Sequence, residues 1–365
     1  VARDGDETLL FTGFPGFIGA RLLPRILELR PGATVVCLVQ ERFAAAARDS
    51  LAEIEATHRH ARGRIELTSG DITKHGLGVE PAMASRLHRQ MTGAYHLAAV
   101  YDLAVSREVG QRINVEGTRN VLRFLAGARR FERLEYVSTA YVSGRAEGVF
   151  RESDLDVGQS FKNHYEETKF LAELEVVRSG IPAVVYRPGI VVGDSRTGET
   201  AKFDGPYVVM AVMERLPSPG VFVRVGSGRN RVNIVPVDFV VEALAQLSAR
   251  RRSLGKTYHL TDPAPLAASE IARLLARALG KRFGYVPVPL ALLKLSLAPP
   301  PLQALLALPP QTLDYFDHPC DYDSSQAQKA LASLEVRCPP LPEYVDRLVA
   351  FYRAQRGALR RAAMI

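Results

Sequence analysis

The feature that most constrains this chain is the run LLFTGFPGFIGARLL, Leu9 to Leu23, in which three glycines separate an apolar stretch of strand length from one with helical spacing. Thr12-Gly13-Phe14-Pro15-Gly16-Phe17-Ile18-Gly19 directly follows the first predicted strand and opens the first predicted helix. In that setting Gly13 permits a tight turn, Gly16 lets the backbone approach a pyrophosphate, and Gly19 lets the helix pack close to the strand. The start of the helix adds free N–H groups and a positive dipole end. The spacing is G-x-x-G-x-x-G, one residue longer in its first gap than the common dinucleotide fingerprint. Gly13, Phe14, Gly16, Phe17, Ile18 and Gly19 are therefore the first candidate cofactor contacts.

Further strand-length apolar runs recur at Ala33, Gly63, Gly93, Arg133 and Ile181, most of them separated by segments with helical spacing. Strands that are apolar throughout, alternating with helices, indicate a parallel sheet covered on both faces. The fold class expected is α/β, a Rossmann-type doubly wound sheet with a smaller, mostly C-terminal lobe. The expected division is 1–193, with 232–262 returning to it, as the dinucleotide-binding domain, and 194–231 with 263–365 as a substrate-binding lobe. After Asp194 the rhythm loosens into Pro- and Gly-rich sequence, LPSPGVFVRVGSGRNRVNIVPVDF.

Composition narrows the partners. The 365 residues carry a formal net charge of +8, mostly from arginine, but the basic residues are scattered. Without clustered basic residues or a known motif, nucleic acid is not an expected partner, whereas phosphate-bearing cofactors suit the charge. Cys37, Cys320 and Cys338 are too few and too far apart for a disulfide framework or a metal cluster, and no metal is expected. The opening residues VARDGDE do not resemble a signal segment, and a reducing cytoplasm is the expected location. The oily stretch from Val286 to Pro310 is interrupted by prolines and Lys294, so no membrane span is expected there.

The choice of dinucleotide falls near the end of the second strand, where NAD enzymes usually place a carboxylate against the ribose. Here the residues are Val39-Gln40-Glu41-Arg42. Arg42 could meet a 2′-phosphate and Gln40 could hydrogen-bond it, which favours NADP, with Glu41 counting toward NAD. Asp71 in SGDIT, next to Ile72, is placed to meet the adenine or to cap a helix.

Tyr165-Glu166-Glu167-Thr168-Lys169 holds the one Tyr–Lys pair of the chain at a spacing of four, which puts both side chains on one helix face. Ser138-Thr139 lies at the end of the fifth predicted strand, where α/β sheets place their chemistry. A hydride arriving at a carbonyl carbon leaves negative charge on oxygen, and Tyr165 can protonate it if a neighbouring Lys169 ammonium lowers the phenol's pKa. Lys169 can also hold the nicotinamide ribose. Thr139 would hydrogen-bond the same oxygen, and strand alternation lets only one of Ser138 and Thr139 do so.

Taken together, these segments resemble the extended short-chain dehydrogenase/reductases. The likeness runs in order through the glycine turn, Gly70-Asp71, HLAAVYD from His96, INVEGTRNVL from Ile113, VSTAYVSG from Val137, Tyr165 to Lys169, YRPGIVVGD from Tyr186 and VNIVPVDFVVEAL from Val232. The resemblance implies that Ala98 and Ala99 line the cofactor. It implies too that Asn114 supports the fold or a proton relay, and that Pro188, Gly189 and Ile190 meet the nicotinamide end. The phrases VVCLVQER, HLAAVYDLA and YVSTAYVSG are most similar to the thioester reductase and fatty acyl-CoA reductase branch. That branch reduces acyl thioesters with NADPH. Gln40 departs from it, standing where carrier-linked reductases usually have an arginine.

The resemblance implies an apolar substrate, linked to CoA or to a separate carrier protein. Leucines of the stretch from Val286 to Pro310 would line an acyl tunnel, pack the lobe, or form a dimer or peripheral membrane contact. Arg353, Arg356, Arg360 and Arg361 form a basic tail, either solvated or set against anionic lipid or phosphate. His164 beside Tyr165 is a neighbour more often than a helper. Two other readings share the core motifs. One is a sterol-type or sugar-nucleotide-type dehydrogenase or epimerase, and the other a non-catalytic dinucleotide-sensing scaffold, against which Thr139, Tyr165 and Lys169 together speak.

Overall fold

The computed structural model of the protein describes residues 7–296, 314–315 and 318–362. Seven parallel strands form the central sheet: β1 (Glu7–Thr12), β2 (Ala33–Val39), β3 (Ile65–Ser69), β4 (Met91–His96), β5 (Arg133–Val137), β7 (Ala183–Pro188) and β11 (Thr257–Leu260). Their spatial order is β3-β2-β1-β4-β5-β7-β11. The order reverses between β1 and β4, and that switch point is where a doubly wound sheet opens its ligand crevice.

The alternation that was hidden in the apolar runs becomes visible in the packing. Leu9, Phe11, Val35, Cys37 and Val39 enter the core on one side, while Leu10, Val36 and Leu38 enter the core on the other. Both faces are covered, so neither set of side chains could be polar. Helices α1 (Phe17–Leu29) and α8 (Val237–Ser248) contribute Leu22, Leu23, Ile26, Val240 and Leu244 to the first core. Helix α5 (Gly117–Ala126) contributes Val121, Leu122 and Leu125 to the second, joined by α3 (Pro81–Gln90) through Leu87. Helices α2 (Ala44–Thr57) and α4 (Arg107–Gly110) complete the first part of the chain, α4 running through a π-helical turn into α5.

The run from Ile181 reads as one strand but divides in two. β7 ends at Pro188, and β8 (Ile190–Val192) leaves the sheet to pair with β10 (Ile234–Pro236), Ile190 opposite Ile234. Gly189 forms the corner, where a Cβ would lie 2.8 Å from the Asn233 carbonyl oxygen.

A separate core gathers α7 (Pro206–Arg215), α9 (Ala268–Ala278) and the C-terminal helix through Tyr207, Met210, Met213, Ile271, Leu275, Leu348 and Tyr352. Two short parallel ribbons accompany it, β9 (Gly220–Val225) with β12 (Phe283–Val288), and β6 (Gly148–Phe150) with β13 (Cys320–Tyr322). A short helix, α10 (Leu290–Ser296), follows β12. Helix α11 (Ser325–Ala332) turns back to the main sheet, where Ala327 and Leu331 join the first core. Helix α12 (Val345–Ala362) closes the chain.

Of the oily stretch, Val286, Leu292 and Leu295 are exposed, and residues 297–310 lie outside the described residues. Among the described residues, no helix is long and apolar enough to cross a membrane. Arg353 bonds to Glu214 at 2.8 Å and to the Leu279 carbonyl at 2.7 Å, so it fastens α12 to the lobe instead of standing free in a tail. The side chains of Arg356, Arg360 and Arg361 lie outside the described residues.

Candidate active site

The site is built where the first turn, the end of β4, the end of β5 and helix α6 (His164–Arg178) converge. Gly13 takes φ 95°, a left-handed conformation, and a Cβ there would lie 2.9 Å from the backbone of Leu97 and Ala98. Glycine is the residue that tolerates both demands. Cβ atoms at Gly16 and Gly19 would instead meet the Gly13 carbonyl oxygen, at 2.7 and 2.6 Å, and the one at Gly19 would also press on Phe11 of β1. Thus Gly19 serves helix–strand packing as expected, while the tightest constraint on Gly16 comes from the turn itself. No side chain caps the first turn of α1. Its leading N–H groups are available to an anion, so the turn fits the phosphates of a dinucleotide.

Neighbouring polar contacts hold the turn's far wall. The Thr12 hydroxyl lies 2.7 Å from His96 Nδ1 and accepts from the Ala98 N–H at 3.3 Å, while His96 Nε2 meets Thr118 at 3.0 Å. Burial, with Lys169 a second cause, drives the His96 pKa down to about 3, so this histidine is a neutral strut. Ala99 is exposed beyond Ala98. Phe14 is buried in the first core, Phe17 and Ile18 pack at its edge, and Arg21 lies over the Phe17 ring. Ile72 is buried against Gly117 of α5, so its side chain serves packing.

At the end of β2, Arg42 donates to Gln40 at 2.8 Å and lies over the Phe43 ring. Asp71 accepts from the N–H and hydroxyl of Thr73, both at 2.8 Å, with the Gln40 side chain nearby. That is an Asx turn and not the helix cap that the sequence offered as its other role. Its partners hold the carboxyl below the usual range against the opposing effect of burial.

Helix α6 places the Tyr–Lys pair. Asn163 caps it by accepting from the Glu166 N–H at 3.0 Å, and acidic Glu166 and Glu167 occupy the first turn. This fixes Tyr165 at the start of the helix and Lys169 one turn on, both buried. Thr139 stands beside the phenol, and Tyr101 stands edge-on to its ring with centroids 5.1 Å apart.

Ser138 points the other way, its hydroxyl donating to Glu173 in the interior. Thr139, Tyr165 and Lys169 are thus brought together behind β5, with Ser138 excluded by strand alternation.

Lys169 differs from expectation. Its ammonium donates to the Val137 carbonyl at 2.9 Å and to the Tyr136 hydroxyl at 3.3 Å, not to Tyr165. Burial lowers its pKa to about 8, opposed by Glu173. The phenol of Tyr165 is pushed up by burial, with Thr139 pulling the other way, so the lowering expected from Lys169 is absent and the group is held as a protonated donor.

Sequence reasoning missed the support behind Lys169. Glu173 and Arg187 form a fully buried ion pair at 2.6 Å, and the Arg187 guanidinium also meets His259 Nε2 at 3.1 Å. The available signal was Glu173 one turn beyond Lys169 and an arginine inside an otherwise apolar strand. Asn114 sits in the π-helical turn, bonded to both backbone groups of Val100 and to the Thr168 hydroxyl, which matches a fold-supporting role. Pro188 ends β7, the Gly189 N–H donates to Leu260, and Ile190 is partly buried beyond the corner. His164 is half exposed and paired with Glu167.

Such a crevice, with a glycine turn on one wall and a Thr–Tyr–Lys group on the other, is that of a nicotinamide-dinucleotide oxidoreductase. The family model described as "Male sterility protein", an NAD-binding family, matches residues 11–244, and the chain belongs to that family. By family and fold it is a member of the extended short-chain dehydrogenase/reductases.

Among relatives, the non-canonical nonribosomal peptide synthetase cpsA of Aspergillus campestris is 28% identical, over 69% of this chain and 25% of its own length. The fatty acyl-CoA reductase wat of Drosophila melanogaster is 26% identical over 66% of this chain and 53% of its own. Thus this chain spans about a quarter of the first relative. The terminal R domain of the myxalamid PKS-NRPS pathway superposes with a TM-score of 0.80 at 28% identity, covering 98% of this chain and 92% of that one. A UDP-glucuronic acid 4-epimerase of Bacillus cereus shares the fold, with a TM-score of 0.67 at 16% identity and coverage of 95% and 97%.

Proposed function

We propose that this chain reduces a fatty acyl thioester, linked to CoA or to a carrier protein, to an aldehyde or alcohol, with NADPH preferred over NADH. The observation that carries the reading is the buried Tyr165 phenol next to Thr139, one helical turn from the buried Lys169 and across from the glycine turn. One relative supports the substrate class by its name, the fatty acyl-CoA reductase.

Gly13, Gly16 and Gly19 with the start of α1 would hold the pyrophosphate, Gln40, Arg42 and Asp71 the adenosine end, and Ala98, Ala99, Pro188, Gly189 and Ile190 the rest of the cofactor. When bound, reduced nicotinamide supplies the hydride. Tyr165 gives its proton to the carbonyl oxygen as negative charge develops there, and Thr139 donates a second hydrogen bond to the same oxygen. Burial keeps the phenol protonated until that moment. Lys169 supplies positive charge one turn away and, tied to Val137, is placed for the ribose. With a thioester, the resulting hemithioacetal collapses to aldehyde and releases the thiol.

Residues 1–193 with 232–262 would then form the dinucleotide-binding part, and 194–231 with 263–365 the lobe that receives the acyl group. The apolar substrate enters by that lobe, and a cytoplasmic setting suits NADPH. Product analysis of a reaction with acyl-CoA and NADPH tests the reading. Aldehyde or alcohol together with free CoA supports it, and turnover confined to secondary alcohols or sugar nucleotides refutes it.

A further inference from the structure

Outside the crevice, a concave space of about 510 Å³ lies along the C-terminal half of α9 and the start of β12. Arg273, Arg277, Lys281, Arg282, Phe283 and Tyr285 line it together with two small residues, and no carboxylate does. Its size falls within the range of small-ligand sites.

Some arginines of this chain are ion-paired and others, such as Arg48, Arg89 and Arg178, form no ion pair among the described residues. The groove is set apart by four basic side chains meeting in one lining that holds no carboxylate. Arg21, Arg25, Arg30, Arg86, Arg107, Arg119, Arg133 and Arg187 are each paired with a carboxylate. Arg273, Arg277 and Arg282 are exposed and, among the described residues, form no ion pair. Arg273 and Arg277 stand four apart on α9, so their side chains project from the same face.

The wall between them is firm. Lys281 ties the turn after α9 to the Glu214 and Leu216 carbonyls at 3.2 and 2.9 Å, and β12 pairs with β9 over six residues. Phe283 packs on Phe222 with centroids 5.8 Å apart, and the Arg273 guanidinium lies 6.0 Å from the Tyr285 ring centroid.

From these features we infer that the groove binds the phosphorylated adenosine end of a nucleotide, at a site separate from the glycine turn. Guanidinium forks match phosphate oxygens in bidentate fashion, and the Phe283 and Tyr285 rings with the planar guanidinium offer faces on which a purine stacks. A concave site with aromatic walls favours a small stacking ligand over the acidic face of a protein. Two sources carry this chemistry, the 3′-phospho-ADP end of CoA and a free adenine nucleotide. The CoA source rests on the thioester reading above, while nucleotide binding itself does not.

The test is calorimetric titration of the full chain, with NADPH saturating the cofactor crevice, using CoA, ADP and pantetheine as separate probes. Binding of CoA and ADP but not of pantetheine is expected. Arg273→Gln/Arg277→Gln/Arg282→Gln should weaken both roughly tenfold or more while NADPH affinity holds. Tighter binding of CoA than of ADP assigns the site to the thioester's handle, and equal binding assigns it to a free nucleotide. No binding, binding unchanged in the triple variant, or binding only of an acidic carrier protein overturns the inference. Should the triple variant lose NADPH affinity, Arg282→Gln alone must still weaken CoA and ADP, and failure to do so overturns it equally. Because no turnover is measured, failure of the thioester reading leaves these titrations interpretable.

Discussion

The Lys169 ammonium donates to the main-chain carbonyl of Val137 at 2.9 Å, so the end of β5 and the second turn of α6 are fastened by the charge that the chemistry would use. Thr139 and Tyr165 are positioned by the same junction.

Tyr165→Phe removes the proton donor and leaves the ring edge-on to Tyr101. Turnover should fall by about 10²–10⁴-fold, the usual worth of a positioned acid. Dinucleotide affinity, measured by fluorescence titration, should change little.

A buried lysine with a pKa near 8 loses its charge within the working range. If the ammonium is needed, the reduction rate should fall as pH rises through about 8, and Lys169→Arg should move that fall to higher pH. Stability responds in the opposite sense. The native side chain releases its proton near 8 but the unfolded one only near about 10.4, so the unfolded chain holds more protons between these values and stability rises with pH there. Melting curves should show this contribution in the wild type and lose it in Lys169→Met.

Glu173→Gln strips the partner from a fully buried Arg187. Breaking a pair of this kind costs about 3–5 kcal/mol, measurable by urea denaturation. It also removes the carboxylate that holds the Lys169 pKa up, so the fall in activity should begin at lower pH. Replacing both partners by Met should recover part of the stability, because no unpaired guanidinium remains, although Lys169 and the Ser138 hydroxyl still lose their carboxylate.

Gly13→Ala places a Cβ 2.9 Å from the Leu97–Ala98 backbone at a left-handed φ. Strain of about 1–3 kcal/mol is expected, with loss of dinucleotide affinity exceeding the loss of melting temperature. Gly63→Ala, at a positive φ but with open space around it, isolates the conformational part of the effect.

Much of this was legible in the sequence because periodicity reports burial. Two-faced strands such as Ala33–Val39 and the glycine turn were read at nearly the right residues, and strand alternation separated Thr139 from Ser138. What escaped depends on contacts between distant segments. The corner at Gly189 is forced by Asn233, and the Glu173–Arg187 pair joins a helix to a strand. The direction of Lys169 is set by a carbonyl 32 residues away. The pKa of Tyr165 was misjudged because spacing along a helix reveals neighbours on that helix but not the burial around them.

The central claim is tested most directly by following NADPH oxidation when the purified chain is offered a long-chain acyl-CoA, with wild type and Tyr165→Phe in parallel and NADH as the comparison cofactor. The account predicts NADPH consumption with release of free CoA, slower with NADH, and nearly abolished in Tyr165→Phe. A wild-type protein that binds NADPH but consumes none with any acyl thioester or aldehyde, or a Tyr165→Phe variant as active as wild type, would contradict it.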